Sequence, residues 1–254
     1  LHVRLEGAAE DRLPAGLLAV LDLVALGTVA DVVPLAGENR YYVKEGLKRI
    51  GWNPRPGIKA LLQVANCVPE SVNTGTVAFR LAPRLNAPGR LDSPDLPLQL
   101  MLTEDPVTAQ TIAQRLDQIN RERQEVEAAI LRDALSQAES LDPMPPALVL
   151  GAEGWHEGVV GIVASRLVER FHRPVILLAM DQERARGSGR SIPQYNLMSG
   201  LTASADLLTV FGGHKQAAGL TLTRTNVDRF RETFLEHAAS VLTESDLTPT
   251  FSPD

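Results

Sequence analysis

Residues 147–179 read ALVLGAEGWHEGVVGIVASRLVERFHRPVILLA, and the order of patterns in this stretch decides the fold of the second half of the chain. Ala147 to Leu150 is a short apolar run, Val159 to Phe171 carries apolar residues at helical spacing, and Pro174 to Ala179 is apolar throughout. An apolar run without alternation suits a strand covered on both faces. Strand, helix and strand in succession make a βαβ unit, so the expected class is α/β. Working forward, Arg184 to Ser191 and Ala218 to Thr223 read as strands, with Leu197 to Leu208 and Asn226 to Leu242 as helices between and after them.

Working backward, Leu141-Asp142-Pro143-Met144-Pro145-Pro146 is a stiff linker and marks a domain boundary. Before it, Ile112, Leu116, Ile119, Val126 and Ile130 recur at helical steps, which predicts one long helix from Pro106 to about Ser140. Leu17 to Val33 is apolar on nearly every face and reads as a buried helix opened by Pro14, Ala15 and Gly16. Glu38 to Ile50, Ile58 to Ala65, Thr74 to Leu81 and Asp95 to Leu102 follow as helices. Pro83 to Arg90 has the Pro, Gly and Asn content of an irregular loop.

The chain has 254 residues, 44% apolar and 22% charged, enough for one large domain or two small ones. Net charge is −6, from 25 basic and 31 acidic residues, which argues against a wholesale polyanion binder. Two Trp, three Tyr and six Phe are too few for a many-base stacking platform, so any nucleic acid would be held by its phosphates. Cys67 is the single cysteine, which excludes a disulfide framework and a multi-thiolate metal site and fits a reducing compartment; the expectation is cytoplasmic. Asp22 and Asp31 interrupt the longest apolar stretch, so no membrane span is expected. The chain starts at Leu1 with no leader pattern, and the expectation is that it begins inside a longer protein.

Five places could carry chemistry. Asp31 lies in an apolar context, where a carboxylate caps a helix end or joins a metal site; one carboxylate does not define such a site. Gly187-Ser188-Gly189-Arg190-Ser191, near Arg184 and Arg186, offers hydroxyls and a guanidinium to an anion, or is a solvated hairpin segment. Gly212-Gly213-His214 allows backbone and imidazole to face one ligand, or is a helix C-cap and turn. Trp155-His156-Glu157-Gly158 opens a helix, a place for an anion or for an ordinary cap. Arg84, Asn86 and Arg90 could clamp an oxyanion, or be solvated. His2, His172 and His237 have no partner pattern, and Cys67 lacks a basic neighbour that would activate it.

In order along the chain, ALGTVADVVPL (Ala25 to Leu35), RLNAPGRL (Arg84 to Leu91), GWHEGVVGIVASRLVERFHRPVILL (Gly154 to Leu178), RGSGRS (Arg186 to Ser191) and FGGHKQAAGL (Phe211 to Leu220) closely resemble the RecJ family of single-strand-specific 5′-to-3′ DNA exonucleases, in the DHH phosphoesterase superfamily. The resemblance implies an α/β fold: the helical tail of a DHH domain (1–104), a long connecting helix (105–141), a smaller DHH-associated domain with a mixed sheet (147–245), and the start of a linker (246–254) to an OB-fold. It implies that Asp31 is a metal ligand in a site for two divalent ions, Mn2+ or Mg2+, and that His214, with Gly212 and Gly213, faces the catalytic groove. Ser188 and Arg190 are implied to hold the terminal 5′-phosphate; Arg84, Asn86, Arg90, His156 and Ser191 are implied substrate contacts. Pro88 stands where the family commonly has a small residue.

The implied partner is single-stranded DNA with a 5′ end, with no membrane; protein partners are left unspecified. The family's Asp-x-Asp and Asp-His-His motifs have no match in the chain, so these residues are expected to be inactive alone and to expose apolar surface at Leu17 to Val33. Two other readings stay open: a DHH phosphodiesterase acting on oligoribonucleotides or cyclic dinucleotides, and a non-catalytic phosphate-binding module.

Overall fold

The structure, a computed structural model, describes residues 15–91 and 93–249. The expected helix start at Pro14 and the end of the 246–254 segment, from 250 on, lie outside the described residues. The chain divides into two compact units, Leu1–Glu122 and Arg123–Asp254.

In its described residues the first unit is helical: α1 (Ala15–Leu18), α2 (Leu21–Ala30), α3 (Gly37–Trp52), α4 (Pro56–Val64), α5 (Ala82–Asn86), α6 (Pro88–Leu91), α7 (Asp95–Leu102) and the first part of α8 (Pro106–Glu139). Ile50, Ile58, Leu61, Leu81, Leu100 and Leu116 are fully buried in its core. Leu17 to Val33 does not form one buried helix. A turn at Ala19–Val20 breaks it, only Leu21, Asp22, Ala25, Leu26 and Val29 of α2 are buried, and Val32 is 86% exposed. The buried stripe faces α3, where a Cβ on Gly46 would lie 2.2 Å from the Leu21 carbonyl oxygen, so glycine sets how closely these helices meet.

Asp22 is buried because Arg55 answers it. The Arg55 Nε and Nη2 donate to the two Asp22 carboxylate oxygens at 2.8 Å each, and the Leu23 amide donates at 2.9 Å. This two-pronged geometry offsets the cost of taking the carboxylate out of water.

The stretch Pro83 to Arg90 is helical rather than an irregular loop. A π-helical segment, Val77–Leu81, runs into α5 and then α6, with Pro83 and Pro88 in the first turns. Pro88 opens α6, where its missing amide would be unpaired anyway, and Pro83 follows the π-helical turn, in which the Ala82 amide donates to the Val77 carbonyl, so neither proline ends the helical run it lies in.

Helix α8 matches the apolar periodicity. At its start the Thr108 amide donates to Asp105 Oδ2 at 2.9 Å, and the Thr108 hydroxyl and amide hold the Asp105 carboxyl below the usual carboxylate range.

The second unit joins the rest of α8 to an α/β sheet domain. Its elements are β1 (Leu148–Glu153), α9 (Glu157–Phe171), β2 (Val175–Met180), β3 (Arg184–Arg190), α10 (Leu197–Ala203), β4 (Val210–Gly213), β5 (Ala217–Thr223) and α11 (Val227–Val241). The sheet is mixed, in the order β1-β2-β3-β5-β4; β1 and β2 are parallel and the other neighbours antiparallel. Tyr195, Leu197, Phe230 and Phe234 bury one face, and α9 lies on the other. Trp155 Nε1 donates to Asp133 Oδ2 of α8 at 2.9 Å, and buried Glu127 of α8 pairs with Arg123 and with Arg166 of α9. The expected helix from Leu197 ends at Ala203, followed by a 3-10 turn at Ala205–Leu207.

Candidate functional site

Strand β3 decides the geometry of the second unit's polar surface. Alternate residues of a strand share a face, so Arg184, Arg186, Ser188 and Arg190 point the same way. That face is the one α9 crosses: a Cβ on Gly161 would stand 2.8 Å from Ser188 Oγ and 3.1 Å from Arg190 Nη2. Arg190 Nη1 donates to Ser188 Oγ at 3.0 Å and to the Gly189 carbonyl at 2.7 Å, which holds the guanidinium beside the hydroxyl.

Gly187 and Gly189 serve a different purpose from the one their small size suggests. They lie in a central strand whose backbone is engaged by β2 and β5, and their missing side chains make room on the opposite face. A Cβ on Gly187 would be 2.7 Å from Leu178 and one on Gly189 would be 2.7 Å from Ile176. Their amides therefore belong to the sheet ladder rather than to an anion nest. The Ser191 hydroxyl donates to the Tyr195 carbonyl at 3.0 Å, which fixes the exit from the strand.

Gly212 and Gly213 end the edge strand β4, so they are neither a helix cap nor a bare turn. Gly213 has φ +149°, and a Cβ there would stand 2.4 Å from the Ala217 carbonyl oxygen. The His214 amide donates to that same oxygen at 2.8 Å, and His214 is exposed. Because Ala217 pairs with Arg190, Ser188, Arg190 and the Gly212–His214 tip gather at one end of adjacent strands, about 10 Å apart at roughly 4.8 Å per strand.

His156 caps α9, its Nδ1 accepting from the Gly158 amide at 3.1 Å. It lines a pocket of about 390 Å³ with Glu157, Asp181, Arg184 and Arg186. The Arg184 and Glu183 amides donate to Asp181 and hold its carboxyl below the usual range. An adjoining groove of about 820 Å³ has Gly212, Gly219 and Thr221 along it, with Glu157, Arg184 and Arg186 at its side. Arg186 pairs with Glu157 at 2.6 Å and Arg184 with Asp181 at 3.8 Å. The groove is open because α9 covers only part of the face. Sequence reasoning placed Arg184 and Arg186 near the site without making them part of it, and it missed Gly161, Gly219 and Thr221. The Arg-x-Arg-x-Ser-x-Arg alternation was the available signal for the arginines.

In the first unit, Arg84 lies in α5, and its Nε donates to Asp117 Oδ1 at 2.8 Å. Asn86 and Arg90, in α5 and α6, are exposed. Asp31 follows the last turn of α2, is exposed, and uses its amide to close the helix onto the Gly27 carbonyl. The buried carboxylate in this helix is Asp22, so the apolar neighbours of Asp31 do not enclose it. Among the described residues no three His, Cys, Asp or Glu side chains converge on a metal-sized site. Asp31 supplies a single exposed carboxylate; the described residues do not make up a two-ion site. Among the described residues no helix is long and apolar enough to cross a membrane.

Residues 145–240 match the DHHA1 domain family. The chain is 43% identical over 232 residues to the single-stranded-DNA-specific exonuclease RecJ of Bacillus subtilis, covering 91% of this chain and 30% of the relative. It is 40% identical to the RecJ of Thermus thermophilus, covering 87% of this chain and 32% of that protein. The crystal structure of Thermus thermophilus RecJ in complex with Mg2+ superposes with a TM-score of 0.82 at 40% identity, over 94% of this chain and 36% of that one. An exonuclease RecJ bound to manganese gives 0.80 at 39% identity, over 97% and 61%. The chain thus spans about a third of the length of these curated relatives.

Proposed function

Since the chain belongs to the RecJ family and carries its DHHA1 domain, we propose that it is part of a cytoplasmic, metal-dependent exonuclease that degrades single-stranded DNA from the 5′ end. Its parts are then the end of a DHH domain (1–104), a connecting helix (105–141), the DHHA1 domain (147–245) and a linker (246–254). The observation that carries this reading is the Ser188–Arg190 pair under Gly161: a guanidinium and a hydroxyl joined by a 3.0 Å hydrogen bond, with a helix passing so close that even a methyl group at Gly161 would press on both. A terminal phosphate monoester offers oxygens to both groups, and a charge-assisted contact of this kind outweighs the net negative charge of the chain.

Asp31 contributes one carboxylate to a site for Mn2+ or Mg2+, the ions held by the RecJ structures it resembles. Such ions supply an activated water and charge stabilisation at the phosphodiester. His214, Gly212 and Gly213 present the hairpin tip to the strand, Ser191 fixes the turn beside Arg190, and Arg84, Asn86, Arg90 and His156 contact the DNA. The 254 residues alone bind the strand without cleaving it.

The test is fluorescence anisotropy of the chain with 3′-labelled oligothymidylate bearing either a 5′-phosphate or a 5′-hydroxyl. The phosphorylated strand binds about tenfold or more tightly, and Arg190→Ala removes the difference. Equal affinities before and after the substitution would contradict the assignment.

A further inference from the structure

Three of the buried polar side chains, Asp117, Asn120 and Glu127, lie on the long helix α8. Asp117 is joined to a proposed DNA contact in the same unit. Its Oδ1 accepts from Arg84 Nε at 2.8 Å and its Oδ2 accepts from Arg121 Nη2 at 2.6 Å. Arg84 Nη1 in turn donates to the Arg80 carbonyl, one turn earlier, also at 2.6 Å. Two of the three guanidinium nitrogens are thereby fixed by the protein, and Nη2 has no partner among the described residues. An arginine so held presents its remaining edge in one orientation, whereas a free one must lose several rotors on binding.

We infer that Asp117 is a positioning residue: it sets the Arg84 guanidinium for a phosphate of the bound strand, acting from the connecting helix without touching the DNA. This rests on the proposed contact between Arg84 and the strand. Asp117 acts on Arg84 both through its charge and through the orientation it imposes, and the two effects on phosphate binding differ in sign. Replacing Asp117 with Asn deletes a negative charge beside Arg84. If charge alone mattered, phosphate binding would tighten; if orientation matters, it weakens. Arg121 is 72% exposed and shares Asp117 from the outside, which makes it the control cation.

The experiment measures anisotropy of the 254-residue chain with 5′-phosphorylated oligothymidylate, together with the Arg84 Nε–H resonance by NMR. Asp117→Asn is expected to weaken binding about tenfold and to shift Arg84 Nε–H to the free, fast-exchanging position, with Asp117→Glu restoring part of both. Arg84→Ala weakens binding by a similar factor, and adding Asp117→Asn to it changes binding by less than about twofold. Arg121→Ala leaves the Arg84 resonance in place. Tighter or unchanged binding in Asp117→Asn, or an equal loss in the Arg84→Ala background, overturns the inference. Unchanged binding in Arg84→Ala instead overturns the contact on which it rests. If Asp117→Asn fails to fold, the Arg84 Nε–H signal of the parent chain decides: rapid exchange there contradicts a fixed guanidinium.

Discussion

Gly161→Ala adds one methyl group to the sheet-facing side of α9, and its Cβ arrives 2.8 Å from Ser188 Oγ and 3.1 Å from Arg190 Nη2. Replacing glycine by alanine inside a helix stabilises it by about 1 kcal/mol. Overfilling a packed site costs about 1–3 kcal/mol. Here the atoms met are a hydroxyl that can turn about one bond and the far end of a long side chain, so the cost falls at the low end of that range. The net change in stability is then within about 1 kcal/mol, or about 2–4 °C in Tm for a chain of this size.

Binding tells a different story. The two displaced groups are the ones proposed to hold the terminal phosphate, and a charge-assisted hydrogen bond is worth about 1.5–3 kcal/mol, about 10-fold to 100-fold in affinity. Thermal unfolding and anisotropy with phosphorylated and hydroxyl-ended oligothymidylate measure the two effects side by side. Near-parental Tm with a lost preference for the phosphorylated end is the expected pair of results. A preserved preference would refute the reasoning, because it would mean that the phosphate is read elsewhere.

Asp22→Ala leaves Arg55 only the Ala19 and Met101 carbonyls, at 3.3 Å each, and since Asp22 is only 1% exposed, urea unfolding of the first unit should show a loss of about 3 kcal/mol, whereas DNA binding by the second unit's pocket should be spared. Burial pushes the Tyr195 hydroxyl well above its ordinary value of 10.0, where it makes a 2.8 Å hydrogen bond with His237 Nδ1. The unfolded chain ionises this tyrosine first, so stability is intact below about pH 10 and falls as pH rises through the interval up to the folded value. Tyr195→Phe should lower Tm at pH 8 yet flatten its decline above pH 10, and an identical alkaline slope in both proteins would count against this.

The α/β class, the long helix and most of the β3 stripe are legible in the sequence because each is a periodic pattern that needs no distant partner. The βαβ run and the α8 repeat are patterns of this kind. Edge strand β4 is harder, since Val210-Phe211-Gly212-Gly213 carries turn residues and is a strand only because β5 lies beside it. The helical turns at Pro83 and Pro88 are hidden by residues that open helices as readily as they break chains. Asp117 and Asp22 are invisible as key residues for a different reason: each meets its arginine 33 positions away, and local pattern does not report that pairing. Gly161 sits inside an apolar helix, where only the crossing strand shows that a side chain would press on Ser188 and Arg190.

What Ser188 and Arg190 hold decides the function of the second unit. A crystal structure of the chain with the dinucleotide pdTpdT tests it directly: the terminal phosphate should lie within hydrogen-bond distance of both Ser188 Oγ and the Arg190 guanidinium, with the second nucleotide leading toward the Gly212–His214 tip. A terminal phosphate seated instead between Arg184 and Arg186, with the Ser188–Arg190 pair unoccupied, would contradict it.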